Sequence, residues 1–296
     1  MDFKSQMEKW NLLINNALDD FLTISDGPGS NINKAMKYSL MAGGKRLRPA
    51  LALAVCEMLD GDRNGIIPFA CAIEMIHTYS LIHDDLPAMD NDDFRRGIPT
   101  NHKVFGEAMA ILAGDALLNK AFELMLSYTS AHSAGVERKL EAMRIIADAA
   151  GAEGMIRGQV VDLESEGAVI SRETLEYMHR YKTGALIKAP ILSSALLSGA
   201  TEEEFKSLEK YAENIGLAFQ IKDDIMDVKG SLEQMGKTAG SDAAADKSTY
   251  VTLFGIDEAE VLLDKVVKSA VDALQSFGEK ARFLKELAEF IKSRSN

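Results

Sequence analysis

Apolar residues recur at intervals of three and four along almost the whole chain, and over no useful length at intervals of two. A 3.6-residue repeat lines one side of a helix, whereas a half-buried strand needs alternation, so the pattern predicts an all-α fold. Segment 201–228 shows it most clearly: Thr201 and Glu204 have capping-box spacing, and Phe205, Leu208, Ala212, Ile215, Phe219 and Met226 then form one stripe. The prolines, Pro28, Pro49, Pro68, Pro87, Pro99 and Pro190, stand where helices would start, stop or kink. Gly27-Pro28-Gly29, residues 97–102 and the Gly/Ala/Ser-rich 236–246 read as loops. None of these loops separates regions of different composition, and no fixed repeat is visible. Residues 1–296 are therefore expected to form a single large helical bundle of roughly ten helices.

Of the 296 residues, 47% are hydrophobic, enough apolar surface to offset chain entropy, which excludes a disordered chain. The balance of 33 Lys+Arg against 45 Asp+Glu gives a net charge of −12. A broad basic surface for nucleic acid is not expected, and an anionic ligand would need locally gathered positive charge. Cys56 and Cys71 lie in apolar stretches and read as two buried thiols in a reducing compartment. The first 22 residues carry charges every few positions, unlike a signal-peptide core, and no later segment supplies about 18 apolar residues without charge. The expectation is a cytoplasmic protein with no membrane insertion.

Two acidic strings carry the chemistry. HDDLPAMDNDD, residues 83–93, concludes a helix expected to begin near Pro68, on which Ile73, His77, Ser80 and Asp84 share one face. Asp84 and Asp85 then sit at a helix C-terminus, where the dipole disfavours anions, and Pro87 makes Asp90 arrive from a turn. FQIKDDIMD, residues 219–227, is expected at the far end of the 201–228 helix, with Asp223, Asp224 and Asp227 within one turn and Gln220 one turn earlier. Crowding carboxylates at two helix ends costs stability unless cations sit among them. Adjacent aspartates are oxygen donors that Mg²⁺ prefers, and Mg²⁺ commonly pairs one or two carboxylates with substrate phosphates. Two such clusters point to metals bridging to a phosphorylated ligand.

The matching cations are scattered. MAGGKRLRP, residues 41–49, sets Lys45, Arg46 and Arg48 in a loop leading into a helix at Pro49, where backbone N–H groups also attract anions. Arg95 and Arg96 follow the first Asp string, Lys182 and Thr183 precede a helix-interrupting Gly184, and Lys237 and Lys247 lie in the loop after the second string. Arginine forks with lysine point charges suit a diphosphate. Arg46, Lys222 and Lys229 read as surface charges, and His77 as either a core residue or a phosphate contact.

GGKRLRP, DDLPAMD followed by RRG, YKTG, GQVVD (158–162), FQIKDDIMD and GKTAGSD occur in the order found in trans-isoprenyl diphosphate synthases, and this resemblance covers about residues 38–250. It implies an all-α homodimer with a deep central cavity. It implies three Mg²⁺ ions, Asp84 and Asp90 holding two with help from Asp85, and Asp223 the third, with Asp224 and Asp227 acting through water. Lys45, Arg48, His77 and Arg96 resemble the isopentenyl diphosphate pocket. Arg95, Lys182, Thr183, Gln220 and Lys237 resemble the pocket for an allylic primer, dimethylallyl or geranyl diphosphate, supported by Gln159 and Lys247.

Within the family, a large aromatic at Tyr79, five residues before Asp84 and about 7.5 Å lower along the helix, next to Ser80, is similar to the farnesyl-forming type. Pro87 and Ala88 inside the first Asp string agree with it. The expectation is a fifteen-carbon product, with a geranyl or geranylgeranyl diphosphate synthase as the alternative. A class I terpene cyclase would carry a different second metal motif and would not need Lys45 and Arg48, and an inactive synthase subunit usually lacks one Asp string. Arg294, near the end of the chain, is left outside the expected site.

Overall fold

The computed structural model describes residues 2–23, 27–233 and 248–294. Among them the chain is all-α apart from a two-residue β pair, and it divides into two compact units, residues 1–143 and 144–296.

The first unit holds α1 (Phe3–Phe21), α2 (Asn31–Leu40), α3 (Leu47–Met58), α4 (Arg63–Asp84), α5 (Asn101–Phe105) and α6 (Glu107–Ala131). Helix α7 (Val136–Ala150) contains the division. Asp62 starts α4 by accepting the Asn64 N–H at 3.0 Å. The helix begins earlier than expected and carries Pro68 inside it, fully in the core. It is buried on nearly every side, through Phe69, Cys71, Ile73, Met75, Ile76 and Ile82, because α3 and α6 pack against it. By length and composition α4 could span a membrane, although Glu74 lies within it, so no charge-free apolar stretch of about 18 residues is present there, as expected. Its most apolar window is 72% buried within the protein, as in a core helix.

The second unit holds α8 (Met155–Glu164), α9 (Arg172–His179), a π-helical turn (Arg180–Gly184), α10 (Ala185–Leu197), α11 (Glu202–Glu233), α12 (Tyr250–Phe254), α13 (Ile256–Ala273), a 3₁₀ segment (Gln275–Ala281) and α14 (Arg282–Ser293). The capping box opens α11 as expected: Thr201 N–H donates to Glu204 at 2.8 Å and Glu204 N–H to Thr201 at 3.3 Å. Leu208, Tyr211, Ala212, Ile215, Ala218, Ile221 and Ile225 form its buried stripe against α10 and α13. Helix α11 runs past the expected end at 228 to Glu233, so the second aspartate string lies inside the helix and not in its last turn. Gly230 did not stop it: one helical glycine costs only about 1 kcal/mol, which packing overrides.

Candidate active site

In the first unit, α4 ends where the first aspartate string begins. Asp84 is its last residue, Asp85 its cap, and the turn that follows is closed by the Asp90 N–H donating to the Asp84 carbonyl at 2.9 Å. This brings Asp84 and Asp90 to one place, Asp84 half-buried and Asp90 exposed. Asp85 is buried and committed elsewhere, accepting from Arg95 Nε at 2.9 Å and Nη2 at 2.6 Å. Burial pushes the Asp85 carboxyl up, against the hydrogen bonds and charge of Arg95.

Arg95 and Arg96 sit on a small hairpin, Phe94–Arg95 paired antiparallel with Ile98–Pro99, whose second strand lies within residues 97–102, expected to be a loop. Its two turn residues, Arg96 (φ 55°) and Gly97 (φ 79°), are both left-handed, the geometry a two-residue hairpin demands. The turn swings Arg96 onto the Gly43-Gly44 pair, where Nη1 donates to the Gly43 carbonyl. A Cβ on Gly44 would lie 2.7 Å from the Arg96 guanidinium carbon, so the glycine there admits the arginine.

His77, half-buried one face above, feels Arg48, Arg96, Arg95 and Arg46. Burial first, and then those charges, hold its imidazole well below the ordinary histidine range, so it is neutral at physiological pH. Arg96, Arg48 and His77 therefore do gather, as the motif order implies, while Lys45 is exposed beside them in sequence. Arg48 falls within the first turn of α3 and not in the loop before it.

Arg46, expected at the surface, is buried. It donates to Glu74 at 2.8 Å, to the Leu40 carbonyl at 2.6 Å and to Asn15 at 2.9 Å. The physical reason is its left-handed backbone (φ 47°) at the start of α3, which turns the side chain inward toward the Glu74 charge on α4.

Tyr79 is buried on α4, its ring edge-on to His83 with centroids 5.7 Å apart. Ser80 spends its hydroxyl on the His77 carbonyl at 2.8 Å. His83 lies over α6, where Gly114 leaves room for it: a Cβ there would stand 2.1 Å from Nε2.

In the second unit, Lys182, Thr183 and Gly184 belong to the π-helical turn between α9 and α10. Such turns carry one residue more than an α-helix can accommodate and often mark functional positions. The turn is seated on Gly158 of α8, where a Cβ would come 2.0 Å from the Lys182 nitrogen. Lys182 Nζ donates to the buried Asp162 carboxylate at 2.5 Å, and Gln159 sits half-buried one residue from Gly158. Gln220 contacts His179 Nδ1 at 2.7 Å. Burial of His179 lowers its pKa to about 4, with Asp162 opposing and Lys182 assisting.

The three α11 aspartates have different surroundings. Asp223 is paired with Arg294, Asp224 is buried and accepts the Tyr250 N–H at 2.7 Å, and Asp227 is half-buried. Asp224 thus ties α11 to the start of α12. Lys222 is half-buried and not a plain surface charge, its pKa lowered by burial and by Lys229 and Arg294. Lys229 is exposed, as expected, and bridges to Glu260. Lys237 and Lys247 lie outside the described residues.

Asp162, His179 and Arg294 take part although the sequence did not nominate them for the site. Asp162 stood in the GQVVD string and His179 three residues before Lys182, but their partners lie 20 and 41 positions away. Arg294 is 71 positions from Asp223, and no local pattern joins them.

In each unit the donor types fit Mg²⁺. Asp84, Asp90, Asp223 and Asp227 are hard oxygen donors with exposed or half-buried side chains. Among the described residues no group of three or more His, Cys, Asp or Glu stands ready to hold an ion alone.

The sequence matches the polyprenyl synthetase family over residues 30–287. It is 46% identical over 299 residues to heterodimeric geranylgeranyl pyrophosphate synthase large subunit 1, chloroplastic, of Arabidopsis thaliana, covering all of this chain and 80% of that protein. It is 50% identical over 275 residues to a dimethylallyltranstransferase of Fischerella ambigua, covering 93% of this chain and 79% of that one. Among solved structures, an FPP/GFPP synthase from Zymomonas mobilis has a TM-score of 0.88 at 36% identity, covering 98% of this chain and 99% of its own. A geranyltransferase from Legionella pneumophila has 0.87 at 35%, covering 99% and 97%. With both aspartate strings inside the matched span, the chain belongs to the polyprenyl synthetase family of prenyltransferases.

Proposed function

We propose that the protein joins isopentenyl diphosphate to an allylic diphosphate and extends the product to geranylgeranyl diphosphate. The observation that carries the reading is the pair of aspartate strings, each with arginine or lysine partners, in a chain whose full-length relatives include named geranylgeranyl pyrophosphate synthases. The matched span crosses both compact units, which supports treating residues 1–296 as one functional domain.

In this reading Lys45, Arg48 and Arg96 bind the diphosphate of isopentenyl diphosphate. Neutral His77 adds a hydrogen bond without repelling the arginines around it. Arg95, Lys182, Thr183 and Gln220 hold the allylic diphosphate, with Lys237 and Lys247 in the same role outside the described residues, and Gln159 behind the lysine turn. Asp84, Asp90, Asp223 and Asp227 would hold the Mg²⁺ ions, three in number, with Asp85 and Asp224 orienting Arg95 and α12. Bound there, Mg²⁺ would offset the charge that grows on the departing diphosphate. The allylic C–O bond breaks, the isopentenyl double bond attacks the allylic carbon, and a proton leaves to the released diphosphate. Lys182 is held by Asp162 and Arg95 by Asp85, so each cation has its position set within its own unit.

A second reading, a fifteen-carbon farnesyl product, rests on Tyr79, a large buried side chain one and a half turns before Asp84. The proposal further includes a cytoplasmic homodimer. Cys56 and Cys71, both buried and neither in a disulfide, fit a reducing compartment, and the exposed Ile111 and Leu112 on α6 offer apolar surface to a second copy.

The test is incubation with labelled isopentenyl diphosphate, Mg²⁺ and dimethylallyl, geranyl or farnesyl diphosphate, followed by product sizing. Twenty-carbon product from all three primers supports the main reading. A stop at fifteen carbons that Tyr79→Ala relieves supports the second. No elongation of any primer removes both.

A further inference from the structure

We propose that Arg294 is a positioning residue for the metal site at Asp223, a built-in counter-cation that competes with a divalent ion for that carboxylate. The inference rests on Asp223 being a metal ligand, as the proposed function has it.

Helix α14 ends at Ser293, and Arg294 turns to extended backbone (φ −59°, ψ 142°) while its N–H still donates to the Phe290 carbonyl at 2.9 Å. The side chain then runs onto α11. Only 7% of it is exposed, an unusual degree of burial for a guanidinium. Nη2 donates to Asp223 Oδ1 and, at 3.2 Å, to the Phe219 carbonyl. The guanidinium carbon stands 4.0 Å from the centroid of the Phe219 ring. Phe219 and Asp223 are one helical turn apart, so the planar group is held on two sides by one face of α11.

The Asp223 side chain remains 42% exposed, so an ion can reach it from solvent. A divalent cation bound at Asp223 would then lie within a few ångströms of a buried positive charge, and the two repel strongly in that setting. The carboxylate can satisfy one of them fully, not both. Arg294 therefore sets the affinity of this metal site: it keeps Asp223 oriented and neutralised, and gives up the carboxylate only to a cation with added phosphate ligands.

The experiment titrates the full-length, chelator-stripped protein with Mn²⁺ in the presence of inorganic diphosphate and reads free Mn²⁺ by electron paramagnetic resonance. Arg294→Gln is expected to bind the Asp223-linked ion about three- to tenfold more tightly than wild type, the size of one lost competing charge. Arg294→Lys, which keeps the charge and spares the fold, is expected to stay near wild type. The gain should be absent when Arg294→Gln is combined with Asp223→Asn. Equal Mn²⁺ affinity of wild type and Arg294→Gln overturns the competition and leaves the pair a mere tether. Wild-type Mn²⁺ binding by Asp223→Asn alone would instead show that Asp223 is no ligand, a separate failure that falls on the proposed function first.

Discussion

Arg46 and Glu74, 28 positions apart, form an ion pair 2.8 Å long whose side chains are 1% and 2% exposed. It fastens the start of α3 to the middle of α4, two turns and more before Asp84. Charges withdrawn from water this completely depend on each other: the pair itself adds little, but either member left alone is costly.

Glu74→Ala should therefore destabilise the protein by about 3–5 kcal/mol, because it strands a buried guanidinium. Arg46→Met with Glu74→Leu should recover much of that loss. Denaturant unfolding of the three proteins checks this, and a double variant as unstable as Glu74→Ala would show that the packing and not the charge was at stake.

Gly158→Ala should disturb the π-helical turn directly. The added methyl would stand 2.0 Å from the Lys182 nitrogen and 2.5 Å from its Cα, and backbone cannot rotate away as a side chain does. Overpacking of this kind costs about 1–3 kcal/mol, and the shifted Lys182 should also lower turnover. Unfolding midpoints and steady-state rates measure the two effects; an unchanged rate would remove Lys182 from the charge that binds the primer.

Acid should weaken the fold through His179. Its folded pKa of about 4 is below the unfolded value of 6.5, so the unfolded chain takes up the proton first. The stability tied to the neutral ring is fully present above pH 6.5 and is lost as pH falls from 6.5 toward 4, by on the order of 3 kcal/mol. His77, lowered for the same reason of burial, acts in the same direction. Urea unfolding across this range should show a shallower pH slope for His179→Gln than for wild type. Identical slopes would mean that the ring is not held neutral.

Asp84→Ala and Asp223→Ala should each reduce turnover by about a thousandfold or more while circular dichroism stays that of a folded helical protein, since each removes a carboxylate that would hold the Mg²⁺ offsetting the diphosphate charge. Near-normal turnover in either variant would take that residue out of the metal site.

The sequence by itself determined the helices, the capping box at Thr201 and Glu204, and the two aspartate strings, because helical periodicity and capping are local: the residues that decide them lie within four positions of each other. Only the tertiary structure decided which charge meets which. Arg46 read as a surface residue because nothing near it signalled Glu74, and nothing near Asp223 or Asp224 signalled that one meets Arg294 and the other the Tyr250 amide. The end of α11 went the same way, since packing against α10 and α13 carried the helix past its expected stop. Contacts spanning 20 to 71 positions, from Lys182 with Asp162 to Arg294 with Asp223, are chosen by burial and complementary charge once helices pack, and those quantities exist only in the folded chain.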